Sequence, residues 1–532
     1  MVDHYFIASG AAVAPGGAKN VGNKAWNLML MAKAGLPVPA AFVLPTAWCH
    51  RDLTAQDTKL RQALSHGIAA LESATGLAFG AARAPLLVSV RSGAAVSMPG
   101  MMETVLDIGL NAQTVEGLIR LTGNPRLAWD SYRRLVQSYA EVVANLPTEP
   151  FDALVAAALA HAEADTERDL DHRSLRTLTR AMLECYRGLA GSAFPADPAE
   201  QLAQATKAVF RSWDAPKAVS YRRLNHLNDK AGTAVTVQTM VYGNAGGASG
   251  AGVGFTRNPA TGAREFYFDF QFNAQGEDVV AGRQKLRDND RLRRALPAVW
   301  TRLEEICHDL ESLFGDAQDF EFTVQSGVLF ILQARNAKRT DWAALMIAVE
   351  MVEEDVISPA QALEHLDGLD LASITRSSFA SPVPETLATA EVAGMGVASG
   401  VIALDSEAVK RFTAAGEPAI LVRRDTVTSD IEGMALAAGI ITASGGRTSH
   451  AAVVARQLGK VCLVACPGLE IDLDHRRCTI GGAQLNEGDL LSLNGNTGTI
   501  HSGRLTPLTE RPQKALATVS RWRKDAVGLV ES

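Results

Sequence analysis

The sequence predicts a multidomain α/β protein, and three observations point there. Its 532 residues, at roughly 100 to 200 residues per domain, make three or four units, each able to bury a core. Short apolar runs punctuated by Gly and Pro alternate along the chain with stretches of helical periodicity. The composition is that of an ordinary globular chain, 47% hydrophobic and 20% charged, with 51 Lys+Arg against 58 Asp+Glu for a formal charge of −7. That mild acidity argues against a polyanion partner, which needs a basic face. The dense basic cluster Arg283 to Arg294 is interleaved with Asp288 and Asp290, the pattern of a solvated helix face. No uninterrupted run of about 18 apolar residues occurs, and Met1 to Gly10 lacks the basic and apolar regions of a secretory leader. Neither a membrane nor a nucleic acid is expected as a partner, and a cytoplasmic location follows. The six cysteines, Cys49, Cys185, Cys307, Cys462, Cys466 and Cys478, are scattered without a zinc-site spacing and read as reduced thiols.

The elements follow in order. Residues 1–110 mix short strands, Phe42 to Leu44 and Leu86 to Val90, with Gly/Pro breaks. Over 111–195 the period becomes helical: Ala128, Tyr132, Leu135, Tyr139, Val142 and Leu146 recur on one face until Pro147, and helices are expected over Phe151 to Ala164 and Ser174 to Leu189. This helical insert is expected to close near Pro195. Residues 196–338 return to strands at Ala234 to Tyr242, Glu265 to Phe270, Asp319 to Val324 and Val328 to Gln333, the last two joined across Ser326-Gly327 as a hairpin. Within 339–380 a helical stretch, Trp342 to Leu366, is a connector. Residues 381–505 form a compact β/α unit with strands Ala419 to Val422, Gly439 to Thr442, Val461 to Ala465 and Leu490 to Leu493, and one helix, Ser449 to Leu458, closed by Gly459. Residues 506–532 are a polar, mainly helical tail.

Chemistry enters at Gly243 to Gly254, where six glycines fall in twelve residues directly after a strand. Glycine lets the backbone turn several N–H groups toward an anion, so a polyphosphate is the natural ligand. No Gly-Lys-Ser/Thr closes the loop as in a Walker A motif, and a flexible surface hairpin is the competing reading. The hairpin Asp319 to Arg335 adds acidic and basic groups. Asp319 and Glu321 share a strand face by period two, and the return strand can bring Gln333 and Arg335 opposite them. Oxygen ligands and a guanidinium on one surface suit Mg²⁺ bound to nucleotide phosphates. Lys24 and Arg91 are two further cations that could complete such a site. A second constellation, Gly445-Gly-Arg-Thr-Ser-His-Ala-Ala452, stands between a strand and a helix. The glycines free the backbone for a tight turn, and Thr448 to His450 open the helix at the positive end of its dipole. A histidine there can take up a phosphoryl group on a ring nitrogen, whereas a lone histidine after a glycine turn is more often a cap or a packed residue.

Four segments carry a resemblance: Ser89-Val-Arg-Ser-Gly-Ala-Ala-Val-Ser-Met-Pro-Gly-Met-Met-Glu-Thr104, Phe255-Thr-Arg-Asn-Pro259, Asn273-Ala-Gln-Gly-Glu-Asp-Val-Val280 and Leu332-Gln-Ala-Arg-Asn336. Together they resemble the ATP-grasp part of the pyruvate phosphate dikinase family, and the Gly-Gly-x-Thr-Ser-His-Ala-Ala context is similar to the swivelling phosphohistidine domain of the same enzymes. The Ser-Met-Pro-Gly-Met-Met run is closer to the phosphate-using dikinase than to the water-using phosphoenolpyruvate synthase. The resemblance implies an ATP-grasp fold with a helical insert (N-terminal subdomain 1–110, insert 111–195, C-terminal subdomain 196–338), a helical linker 339–380, a swivelling phosphohistidine domain 381–505 and the tail. It implies ATP as substrate with Mg²⁺ as cofactor. Lys24 and Arg91 would meet the phosphates, and Lys24 is chosen over Lys19 because it precedes Asn27-Leu28 by three residues, as the family lysine does. Asp319, Glu321 and Gln333 would hold or orient Mg²⁺, and Arg335 would steady the transferred group. Gly246, Gly247, Ser249, Gly250 and Gly252 would form the lid, and Met240 and Glu277 would complete the nucleotide site. His450 would be the phosphate carrier, with Thr448 beside it at a position some members regulate by phosphorylation.

The chain departs from the family at Ala251, where the lid usually carries Thr, and at Arg447, often Met. It also stops where the family begins a (β/α)8 barrel of about 250 residues, since 27 residues follow Leu505. The expectation is therefore a phosphotransferase that phosphorylates His450 from the β-phosphate of ATP, with inorganic phosphate as co-substrate. The phosphate would pass to pyruvate or another small molecule on a separate barrel-type subunit. The alternative is a non-catalytic ATP-binding regulatory or scaffolding subunit of a split dikinase.

Overall fold

Val88-Ser-Val-Arg91 and Val235-Thr-Val-Gln238 alternate apolar and polar residues, which sends the two kinds to opposite faces of a strand. The computed structural model describes residues 4–96, 98, 103–265, 267–276, 289–426, 430–445 and 450–530. In it these segments are the centre of a five-stranded antiparallel sheet, in the spatial order Tyr5–Ile7, Ala41–Leu44, Thr233–Thr239, Val88–Ala94, Thr104–Ile108. Thr233–Thr239 thus crosses back from beyond the helical segment to lie between strands from the start of the chain. Val88, Val90, Val235 and Val237 face a core that also holds residues of helices Asp57–Thr75, Pro125–Val142, His172–Ala190 and Pro198–Arg211. The helical segment therefore shares the core of this sheet.

Two local expectations change. The helical run does not close at Pro195 but continues through Pro198–Arg211 and Pro216–Leu224, each with proline in its first turn; Asp197 caps the first of these by accepting from Ala199 N–H. The periodicity toward Leu146 overruns its helix, which ends at Val142. Asn145 turns left-handed with φ 53°, and Leu146 N–H reaches back to the Ala140 carbonyl at 2.9 Å, a closure that keeps the Leu146 side chain against the core.

The second sheet has four antiparallel strands in the order Val328–Asn336, Gln318–Gln325, Gly250–Phe255, Tyr267–Phe272. Its hairpin turns at Ser326 and Gly327, with φ 50° and 81°, the two positive values of a type I′ turn. Helix Ala18–Lys33 joins the sheets: Ala25, Leu28 and Met31 share a core with Ala41 and Val43 of the first and Phe320 and Ile331 of the second. The edge strand Val328–Asn336 is covered on this side, as Ile331 N–H donates to the Pro37 carbonyl at 2.7 Å.

Helices Asp341–Glu353 and Pro359–His365 pack against the C-terminal helix Gln513–Val530 through Leu345, Ala362, Ala515 and Val519. The tail, expected to be mainly helical, also contributes Pro507–Glu510, a strand antiparallel to Arg376–Phe379. Between these two strands lies an eight-stranded sheet in the order Thr386–Thr389, Thr499–Ser502, Leu490–Asn494, Val397–Ala403, Ala419–Arg423, Gly439–Thr442, Val461–Val464, Glu391–Gly394. Its four neighbouring strands from Val397–Ala403 to Val461–Val464 are parallel. Helix His450–Gln457 connects the last two, and Gly459 beyond it is left-handed with φ 62°. The six cysteines are free thiols. Among the described residues no helix is long and apolar enough to cross a membrane.

Candidate active site

The polar faces of the first two sheets meet around Arg91. Cross-strand register places Arg91 opposite Thr236 and Ser89 opposite Gln238. Arg91 Nη1 donates to Gln238 Oε1 at 3.3 Å, and its Nη2 lies 3.5 Å from Glu321 Oε2 of the second sheet. Among the described residues, Arg91 Nε and Gln238 Nε2 are buried without a partner. Such donors cost free energy unless an acceptor reaches them, so the pair can take up an oxygen acceptor.

The hairpin delivers what its period promised. Asp319 pairs with Arg335 and Glu321 with Gln333. Leu332 is the extra residue of a bulge, because Phe322 already pairs with Ile331. Arg335 donates through Nε at 2.8 Å and Nη2 at 2.7 Å to Asp319 Oδ2. Burial raises the Asp319 carboxyl above the ordinary range, and Arg335 draws it partly back. Lys24, on helix Ala18–Lys33, is pushed down from 10.5 to about 7, first by burial and then by Arg91, with Glu321 opposing and Arg335 adding to the depression. Three cations, two carboxylates and an amide therefore converge. Asp319, Glu321 and Gln333 offer hard oxygen ligands, a donor set that fits Mg²⁺ completed by phosphate and water. Among the described residues no group of three or more His, Cys, Asp or Glu forms a metal cage.

Past Gln238 along the chain, Thr239 and Met240 line a cleft of about 650 Å³ whose walls also include Leu86, Leu87, Leu118, Ala245 and Phe330. Its apolar walls suit a flat heterocycle. Met240 N–H is committed to the Leu87 carbonyl at 2.9 Å, so Met240 offers the cleft its side chain and carbonyl. Tyr242 N–H donates to Gln325 Oε1 at 2.7 Å and ties the two sheets at the cleft's end.

The glycine segment divides between a turn and a strand. Gly246 and Gly247 lie in an open turn with room around each for a further atom, Gly246 at φ 132°. Ser249 is buried, and its hydroxyl accepts from Ser326 N–H at 2.9 Å, which holds the hairpin tip. Gly250 and Gly252, expected in the lid, belong to the strand Gly250–Phe255, paired on both sides. Their glycine identity has a packing cause: a Cβ at Gly250 would lie 2.2 Å from the Phe270 ring, and one at Gly252 2.3 Å from that of Phe322. Ala251 is fully buried in the same strand, opposite Thr323 and Gln271. Glu277 and Thr448 lie outside the described residues, as does Arg447. Gln238 is the contributor that motif reading missed; the alternation Val235-Thr-Val-Gln238 beside that of Arg91 was its signal.

Away from the two sheets, His450 is the first residue of helix His450–Gln457, whose backbone follows strand Gly439–Thr442. Ala451, Ala452 and Ala455 are fully buried against Leu421, Ile440 and Val464, and such small side chains let the helix lie close to the sheet. The helix start is thereby held at the carboxyl end of a parallel strand, the usual ligand edge of such sheets.

Comparison with known proteins finds matches in both parts of the chain. The family pattern "Pyruvate phosphate dikinase, AMP/ATP-binding domain" matches residues 55–299, and "PEP-utilising enzyme, mobile domain" matches residues 415–498. The pyruvate, phosphate dikinase of Clostridium symbiosum is 41% identical over 490 residues, 91% of this chain and 56% of that protein. The chloroplastic pyruvate, phosphate dikinase 1 of Zea mays is 40% identical over 511 residues, 95% of this chain and 54% of that protein. That of Arabidopsis thaliana is 39% identical over 511 residues, 94% of this chain and 53% of that protein. The chain spans about half the length of the curated relatives it matches. With this similarity running along nearly all of its length, the chain carries the AMP/ATP-binding domain and the mobile domain of the pyruvate phosphate dikinase family.

Proposed function

We propose that this chain is a dikinase-type phosphotransferase that moves the β-phosphoryl group of ATP onto His450. The observation that carries the reading is the convergence of Lys24, Arg91 and Arg335 with Asp319, Glu321 and Gln333 beside an apolar cleft. In this reading the two antiparallel sheets of residues 1–338 are the halves of an ATP-grasp unit. Residues 339–380 are its linker, and 381–505 swivel to bring His450 to the nucleotide.

Adenine occupies the cleft past Met240, and the polyphosphate runs to the cations, where Gln238 Nε2 and Arg91 Nε gain their missing acceptor. Gly246 and Gly247 close over it. A ring nitrogen of His450 attacks the β-phosphorus, the α–β anhydride bond breaks, and AMP leaves. Inorganic phosphate then takes the γ-phosphoryl group, pyrophosphate leaves, and His450 keeps the β-phosphoryl group. Phosphoryl transfer asks the protein mainly for alignment and charge stabilisation. Lys24, Arg91 and Arg335 supply both, while Asp319 holds the Arg335 guanidinium in place. Mg²⁺ held at Glu321 and Gln333 would neutralise charge on the β- and γ-oxygens. The phosphohistidine is then presented to pyruvate or another small acceptor bound outside residues 1–532.

The test is incubation with Mg²⁺ and ATP labelled at the β-phosphate, with and without inorganic phosphate. Base-stable, acid-labile label that disappears in His450→Asn supports the reading. No label under either condition sinks it.

A further inference from the structure

Helix Ala18–Lys33 is held at two points, one on each side of Lys24. Upstream, Gly22 interrupts the helix with φ 76° and ψ 154°. A Cβ at Gly22 would lie 2.0 Å from the Gly93 carbonyl oxygen, so only glycine lets the helix close onto the strand that carries Arg91. Lys24 comes two residues later, with its Cβ 3.7 Å from where a Cβ of Gly93 would stand. Downstream, Asn27 is 6% exposed, a polar side chain on a face otherwise made of residues such as Val21, Ala25, Leu28 and Met31. Its Nδ2 donates at 2.9 Å to the carbonyl of Ala334, the residue between Gln333 and Arg335.

A buried amide on an apolar helix face is a poor choice for packing alone, since a leucine would bury more apolar surface with no polar group to satisfy. What the amide does, and leucine does not, is fix the helix in register against one particular carbonyl. We propose that Gly22 and Asn27 are the positioning residues of the phosphate site. They pin the Lys24 helix to the Arg91 strand on one side and to the Arg335 strand on the other, and so set the separation of the three cations. The inference rests on reading that cluster as a polyphosphate site. It places the alignment of the site in a short rigid piece of helix between two sheets, where a displacement of about 1 Å costs about a hundred-fold in rate.

The test compares wild type with Asn27→Leu and Gly22→Ala. It reads His450 labelling at saturating β-labelled ATP, the KM for ATP, adenosine binding and thermal unfolding. In Asn27→Leu the saturating rate should fall about ten- to a hundred-fold with adenosine binding and the folded fraction unchanged; Gly22→Ala should move the same way. Asn27→Leu keeps the number and branching of the side-chain heavy atoms, so the outcome does not hang on whether Gly22→Ala folds. A wild-type labelling rate in Asn27→Leu overturns the proposal. So does a loss of rate that merely follows a loss of folded protein and of adenosine binding. Wild-type protein that takes up no label overturns instead the phosphotransferase reading beneath it.

Discussion

Lys24 carries the least comfortable charge of the site. Depressed to about 7 from 10.5 by burial and by Arg91, it is largely neutral in mildly alkaline solution, and a polyphosphate arriving beside it restores the proton. ATP binding at pH 8 should therefore take up a proton, seen by titration calorimetry in buffers of different ionisation heat, and the uptake should vanish in Lys24→Met. Equal heats in all buffers for wild type would contradict this. The same shift acts on folding: between about 7 and 10.5 the unfolded chain binds a proton that the folded one has lost, so this residue's contribution makes stability rise with pH across that window. Gln238 makes a second case. Its Nε2, unpaired among the described residues, should be worth a hydrogen bond to a charged oxygen, so Gln238→Ala should weaken ATP binding about ten-fold and leave adenosine binding alone. Displacement of a fluorescent nucleotide measures both. Arg91 stood out because it sits in a recognisable motif, whereas Gln238 became a candidate only when strand register placed it against Arg91.

At the scale of elements, the glycine segment shows one residue type serving two ends. Gly246 and Gly247 have open space around them, whereas Gly250 and Gly252 lie under the rings of Phe270 and Phe322. Gly252→Val should destabilise by about 1 to 3 kcal/mol through overpacking, read from urea unfolding, and Gly247→Ala should leave stability unchanged. Equal effects at the two positions would argue against the strand assignment. A run of glycines reads alike in both settings, because what separates them is the aromatic side chains of neighbouring strands. The hairpin was readable for the opposite reason: its two-residue turn and period-two pattern are local, and they set which residues face one another.

At the scale of the whole molecule, among the described residues the apolar cores of the two-sheet unit are built from residues 5–334 and those of the eight-stranded sheet from residues 387–500. Calorimetry should resolve two unfolding transitions, and Mg²⁺ with ATP should raise only that of the two-sheet unit. A single transition moved as a whole would contradict this. The linker is tied to the two-sheet unit by Arg257, which is fully buried and bonds Glu311 through Nε and Nη2 at 3.0 Å, Glu350 at 3.0 Å and Glu354 at 2.7 Å. Arg257→Leu would strand these carboxylates without their cation, at a cost of about 3 to 5 kcal/mol, measured by chemical denaturation. The motif Phe255-Thr-Arg-Asn-Pro259 pointed to the family, but that its arginine joins a strand, a helix and the linker could be read only from the fold.

By itself the sequence determined what depends on neighbours along the chain. Periodicity placed the helices and strands, Ser326-Gly327 placed the hairpin turn, and short motifs pointed to Lys24, Arg91, Asp319, Glu321, Gln333, Arg335 and His450. The tertiary structure decided what depends on residues far apart in the chain. It set Thr233–Thr239 between strands from the beginning of the chain, which brings Gln238 to Arg91. It buried the strand glycines under rings, and it set Asn27 against a carbonyl 307 residues away. Local patterns fix dihedral preferences and faces, but which faces meet is settled by packing, and packing alone makes a charge uncomfortable or leaves a donor waiting for a phosphate.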